Sequence, residues 1–166
     1  RLRTVLNRTL SMNPAIELCK NLLVKPFEGC AKVLPSGAVK AYPDPGTGGA
    51  PWTIGYGSTG PGIGPETVWT MEQCEKALDE HLEYFYAGVL KMCPGLKDEP
   101  PRRQAAVISW AYNCGLGNLR VSTFRKRINE KEWDEAAQEC LKWNKAAGRV
   151  LRGLTRRREA EAELLK

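Results

Sequence analysis

The chain has 166 residues, of which 42% are hydrophobic and 27% charged, with a formal net charge of +6. That balance excludes a disordered chain, and no apolar run approaches the ~18 residues of a membrane span, so stable membrane insertion is not expected. One domain of this length can bury roughly 68–70% of its unfolded surface without a metal or disulfide staple.

Residues 1–12 carry no clear period and are read as an N-terminal extension or remnant. Asn13-Pro14 is a helix start, with asparagine supplying the cap oxygen and proline the preset first position. Ile16, Cys19, Leu22, Leu23 and Phe27 then recur at threes and fours, so a helix over about 13–27 packs one face inward. Pro26 and Gly29 are expected to end or bend it, which holds Glu28 at the end of a packed helix. Residues 31–57 read as a small antiparallel sheet of about three short strands, with Pro35-Ser36-Gly37 as the first turn. Gly60 to Pro65 is loop.

Thr70 to Gln73 is a capping-box pattern. From there Met71, Cys74, Leu78, Leu82, Phe85, Val89 and Met92 define a linking helix over about 70–92, roughly 30 Å long. His81, the chain's one histidine, lies off that stripe and reads as a solvated residue. After Pro94-Gly95, a helix opened by Asp98 to Pro101 runs to Asn113-Cys114-Gly115. Ser122 can cap a short helix, Trp133 to Leu141 form another, and Thr155 can cap a last one. The fold class is therefore α+β: a small β-containing lobe over about 28–65, then helices over about 98–166.

The basic residues crowd into Arg149 to Arg158. They favour contact with an anionic surface without choosing among wall polymer, membrane and nucleic acid; no nucleic-acid motif is present, and that partner is set aside. Six cysteines allow 15 full pairings, and none stands in a Cys-x-x-Cys arrangement, so no metal site is expected. Cys74 and Cys140 fall on apolar stripes, where cysteine behaves as a small hydrophobe. With one histidine, nucleophilic triads and His-rich metal chemistry have little support.

Glu28, Asp44 and Thr53 are the candidate catalytic residues. Glycosidic cleavage needs one carboxylic acid to protonate the leaving oxygen and a second group to handle water. A helix-end glutamate in a partly apolar setting suits the first task, a loop aspartate between prolines the second, and a threonine hydroxyl can hold the water. The plainer reading makes Glu28 a cap or ion-pair partner and Asp44 a turn former.

Phe27-Glu28-Gly29, Lys40-Ala41-Tyr42-Pro43-Asp44 and Trp52-Thr53-Ile54-Gly55-Tyr56-Gly57 together resemble the Glu…Asp…Thr signature of phage-type lysozymes, the endolysin muramidases of glycoside hydrolase family 24. The resemblance continues through Trp110 to Gly115, Ser122-Thr123-Phe124, Trp133 to Ala137 and Gly153-Leu154 to Glu159. It implies one lysozyme-like catalytic domain over 13–166, with a cleft between the two lobes. It also implies hydrolysis, with inversion, of the β-1,4 bond between N-acetylmuramic acid and N-acetylglucosamine in peptidoglycan. Glu28 matches the general acid, Asp44 the second carboxylate and Thr53 the water-placing threonine. Tyr112, Asn113 and Thr123 match cleft-lining positions, and Arg157 an arginine that pairs with the catalytic glutamate.

No cofactor is implied, the partner is peptidoglycan, and a monomer made in the infected cytoplasm would act in the periplasm or wall. Fifteen residues separate Glu28 from Asp44 and eight separate Asp44 from Thr53, longer spacings than many relatives have, and Ser58 stands where many have histidine. Some relatives hold a cysteine near the glutamate in an inhibitory disulfide, which makes Cys30 a candidate for redox control. Two rival readings are a lytic transglycosylase, leaving 1,6-anhydro ends, and a non-catalytic wall- or membrane-binding lytic protein.

Overall fold

A computed structural model describes residues 13–166; the extension expected over 1–12 lies outside the described residues. Asn13 caps α1 (Pro14–Leu18), its side-chain oxygen accepting the Ala15 N–H at 2.8 Å. The helix then widens into a π-helical stretch, Cys19–Val24, before α2 (Lys25–Glu28). Pro26 therefore neither ends nor breaks the run: it sits in the first turn of α2, where its missing N–H is tolerated. The wider turn also rotates the inward face. Val24 is buried in place of the expected Leu22, which is 52% exposed. Gly29, at φ +66°, stops the helix directly after Glu28.

The β region differs from the three-strand reading. β1 (Val39–Lys40) pairs antiparallel with β2 (Val68–Trp69), in the register Val39 to Trp69 and Lys40 to Val68. Within 31–57 only single bridges join Val33 to Val39 and Tyr42 to Thr53, and Ile54 pairs with Ser58. Pro43 and Pro45 lack ladder donors, and Gly48, Gly55 and Gly57 take positive φ, so no continuous ladder forms there.

α3 (Met71–Met92) begins on a complete capping box: Gln73 N–H donates to Thr70 Oγ1 at 3.1 Å, and Thr70 N–H to Gln73 Oε1 at 2.8 Å. A 3₁₀ turn, Pro94–Asp98, leads to α4 (Pro101–Cys114), α5 (Leu116–Val121), α6 (Thr123–Asn129) and α7 (Trp133–Leu141). Ser122 caps α6 as expected, accepting from Arg125 N–H at 3.0 Å. A second hairpin, β3 (Lys145–Ala146) with β4 (Arg149–Val150), precedes α8 (Arg152–Leu165).

α5 and this hairpin were not anticipated: both are too short to establish a period. Thr155 does not cap α8. The helix starts a turn earlier, and the Thr155 hydroxyl donates back to the Leu151 carbonyl at 3.1 Å.

Among the described residues the apolar interior forms two clusters. One gathers Ile16, Cys19 and Val24 with Val39, Ile54 and the first half of α3 (Cys74, Leu78, Leu82). The other surrounds Trp110, which meets Phe124 and Trp143 at ring-centroid separations of 5.0 and 4.9 Å, and takes Val89 and Met92 from the second half of α3. α4 also serves both, with Ala105 and Ile108 in the first and Val107 and Ala111 in the second. The mostly helical α+β class expected from sequence is the fold.

Candidate active site

Glu28 ends α2 with its side chain at a cleft, and its setting is charged rather than apolar. The buried Arg157 of α8 donates from one terminal nitrogen to Glu28 Oε1 at 2.7 Å. The other terminal nitrogen reaches the carbonyl and hydroxyl of Ser109, both at 3.3 Å. Ser109 in turn donates to Glu161 Oε2 at 2.7 Å. Arg158 Nε lies 2.6 Å from Glu161 Oε1, and its terminal nitrogens meet Asn113 Oδ1 at 2.8 Å and the Cys114 sulfur.

Two guanidinium groups thus face two carboxylates across α2, α4 and α8, the compensation a buried ion needs. Burial pushes the Glu161 carboxyl up, against the pull of Arg158 and Arg157.

Oε2 of Glu28 faces Gly57: a Cβ at Gly57 would stand 3.7 Å from that oxygen and 3.7 Å from the Tyr112 hydroxyl. Tyr112 is fixed by donating to the Tyr56 carbonyl at 2.7 Å. Burial raises the Tyr112 phenol well above its ordinary range, and the Glu28 charge adds to the shift. Tyr42 is pushed up by the same two causes, burial first.

Glu28, Gly57, Tyr112 and Asn113 share a cavity of about 410 Å³ with Thr59, His81, Tyr84 and Phe85. A second cavity, about 330 Å³, shares Glu28 and Asn113 and adds Leu154 and Arg157. A third, about 450 Å³, shares Asn113 and Leu154 and runs to Trp143 and Lys145. Asn113 lines all three, so the cavities read as one groove past Glu28.

The sequence model of phage lysozyme matches residues 25–161, most of the chain. This chain belongs to the phage lysozyme family. It is 41% identical over 143 residues to an endolysin of Bacillus phage B103, a match covering 86% of this chain and 50% of that protein. The chain thus spans about half the length of such relatives. The endolysin of Escherichia coli O157:H7 phage FAHEc1 superposes with a TM-score of 0.70 at 28% identity, covering 92% of this chain and 90% of that one. The active form of P1 phage endolysin Lyz has a TM-score of 0.73 at 24% identity, over 93% and 84%. That likeness concerns the fold.

Of the residues that the phage lysozyme signature singles out, Glu28, Arg157, Tyr112 and Asn113 meet at the groove. Asp44 and Thr53 are not among the residues lining these cavities. Asp44 Oδ2 accepts the Gly46 and Thr47 N–H groups at 3.1 Å each, so the aspartate shapes its own turn. Thr53 is held by reciprocal backbone hydrogen bonds to Tyr42, both 2.9 Å. Thr123 is exposed at the first position of α6 and is not brought to the groove.

His81, read as solvated, also lines the cavity with Glu28. The spacing of 81, 84 and 85 at three and four was the signal that could have found that wall. Ser109 and Glu161, polar residues on otherwise buried helix faces, were likewise missed. Cys30 and Cys74 are free, and burial pushes both thiols up, Cys74 to about 11. Among the described residues no cluster of three or more His, Cys, Asp or Glu could hold a metal, and no helix is long and apolar enough to cross a membrane.

Proposed function

We propose that this chain is an endolysin muramidase, a monomeric catalytic unit over 13–166 that hydrolyses the β-1,4 bond between N-acetylmuramic acid and N-acetylglucosamine in bacterial peptidoglycan. Such an enzyme, made in the host cytoplasm, acts on the host wall and lyses the cell. The observation that carries the reading is the grip of Arg157 on Glu28. It fixes the carboxyl by one oxygen at 2.7 Å and leaves the other toward Gly57 and Tyr112 in the groove.

In this reading Glu28 hands a proton to the bridging oxygen as the bond breaks, and Arg157 positions it. Asp44 and Thr53, on the hairpin beside Tyr42, handle the incoming water. Two backbone N–H groups already donate to the Asp44 carboxylate and hold it in place on its turn. Tyr112 and Asn113 line the path of the glycan.

Purified peptidoglycan decides the matter. Wild type is expected to release new reducing ends, and Glu28→Gln to lose at least ~100-fold in rate, the usual size of a general-acid contribution. Products ending in 1,6-anhydro sugars would make the chain a transglycosylase instead. Full lysis by Glu28→Gln would remove catalysis from the account.

A further inference from the structure

The cavity holding Glu28 has a second wall, built by α3, to which the reaction described above gives no task. Tyr84 lies there and is 68% exposed, a large aromatic surface left in water on a helix whose open face otherwise carries groups such as Glu72, Glu80 and Glu83. Its ring is nonetheless held. It meets Phe85 in a T-shaped contact with centroids 5.5 Å apart, and Phe85 meets Tyr112 at 5.4 Å. Tyr112 is anchored on the Tyr56 carbonyl. An aromatic chain therefore runs from the solvent rim inward to the groove beside Glu28. A T-shaped contact occupies at most one face of the Tyr84 ring, and with the residue 68% exposed ring surface stays open to solvent.

His81 precedes Tyr84 by three residues, on the same face of α3 and in the same cavity. Its imidazole can donate and accept hydrogen bonds, and Thr59 adds a hydroxyl to the same lining. The lining contains Glu28 but no lysine or arginine, which disfavours the carboxylates of a wall peptide and favours an uncharged ligand. An open aromatic face beside hydroxyl and imidazole groups matches a pyranose, whose C–H face stacks while its edge hydrogen-bonds.

We propose that Tyr84 and His81 form a saccharide subsite on the α3 wall. Tyr84 stacks on a neutral sugar of the glycan strand beyond the bond being cleaved, and His81 holds a hydroxyl or acetamido group of that sugar. The proposal rests on the muramidase reading and names where its substrate is gripped.

The test separates binding from chemistry. In the Glu28→Gln background, the hexamer and dimer of N-acetylglucosamine are titrated by calorimetry against the parent, Tyr84→Ala and Tyr84→Phe. The hexamer should bind Tyr84→Ala about ten-fold more weakly, the size of one good aromatic contact, while Tyr84→Phe retains its affinity and the dimer discriminates less. On peptidoglycan, in the otherwise wild-type enzyme, the Tyr84→Ala loss should fall on KM rather than kcat. An unchanged hexamer affinity in Tyr84→Ala, or a parent that does not bind the hexamer, overturns the subsite. Failure of the muramidase reading is read separately, from wild type releasing no reducing ends.

Discussion

Gly55 sits where the hairpin passes against Cys74 of α3. At φ +63°, a Cβ there would stand 3.0 Å from the Cys74 sulfur and 3.1 Å from its Cβ. An L-residue in that region costs about 1–2 kcal/mol before any crowding, so Gly55→Ala should lower stability by about 2–3 kcal/mol, measured as a shift in urea midpoint at unchanged m-value. Single residues were legible where chemistry and position coincide: Glu28 because a helix visibly stops at it, and Arg157 because a family pattern pointed to it. His81 was not legible. Its neighbour Leu82 points into the core, and sequence alone does not say that the next face of a long helix borders a cleft.

α8 carries its buried charge on one face. Arg157, Arg158 and Glu161 are all nearly inaccessible, and the last two lie against each other at 2.6 Å. Arg158→Leu leaves Glu161 with less compensation, and a broken buried pair costs about 3–5 kcal/mol. Combining it with Glu161→Gln should cost clearly less than the sum of the single changes, and a double-mutant cycle by chemical denaturation measures the difference. Elements with local signatures were readable beforehand, such as the capping box at Thr70 and the serine cap of α6. The π-helical turn ahead of Pro26 was not, because its cause is a one-residue slip in hydrogen bonding that leaves the hydrophobic pattern nearly intact. Nor was the β1–β2 pairing, whose partner strand lies beyond a glycine-rich loop.

Across the molecule, two apolar clusters are joined through α3 and α4, and charges tie the π-helical stretch and α2 to α3. Lys20 lies 2.8 Å from both Glu75 and Asp79, and Lys25 also contacts Glu75. Burial opposes ionisation of Glu75, but the two lysines prevail and hold its carboxyl below its ordinary 4.5. The stabilisation is then complete above pH 4.5 and is lost as pH falls through the lower, folded value. Urea unfolding between pH 6 and 3 should show stability falling with acid, with a shallower fall in Glu75→Gln. The overall order of helices was readable because amphipathic period survives in any long helix. Which cluster each half of α3 joins was not, since the same stripe serves both.

The contact between Glu28 and Arg157 joins positions 129 apart in the chain. During synthesis the glutamate leaves the ribosome long before its arginine has been translated. The site that grips Glu28 therefore does not exist until α8 has been made, and a chain released short of α8 would carry the acid without the clamp that aims it.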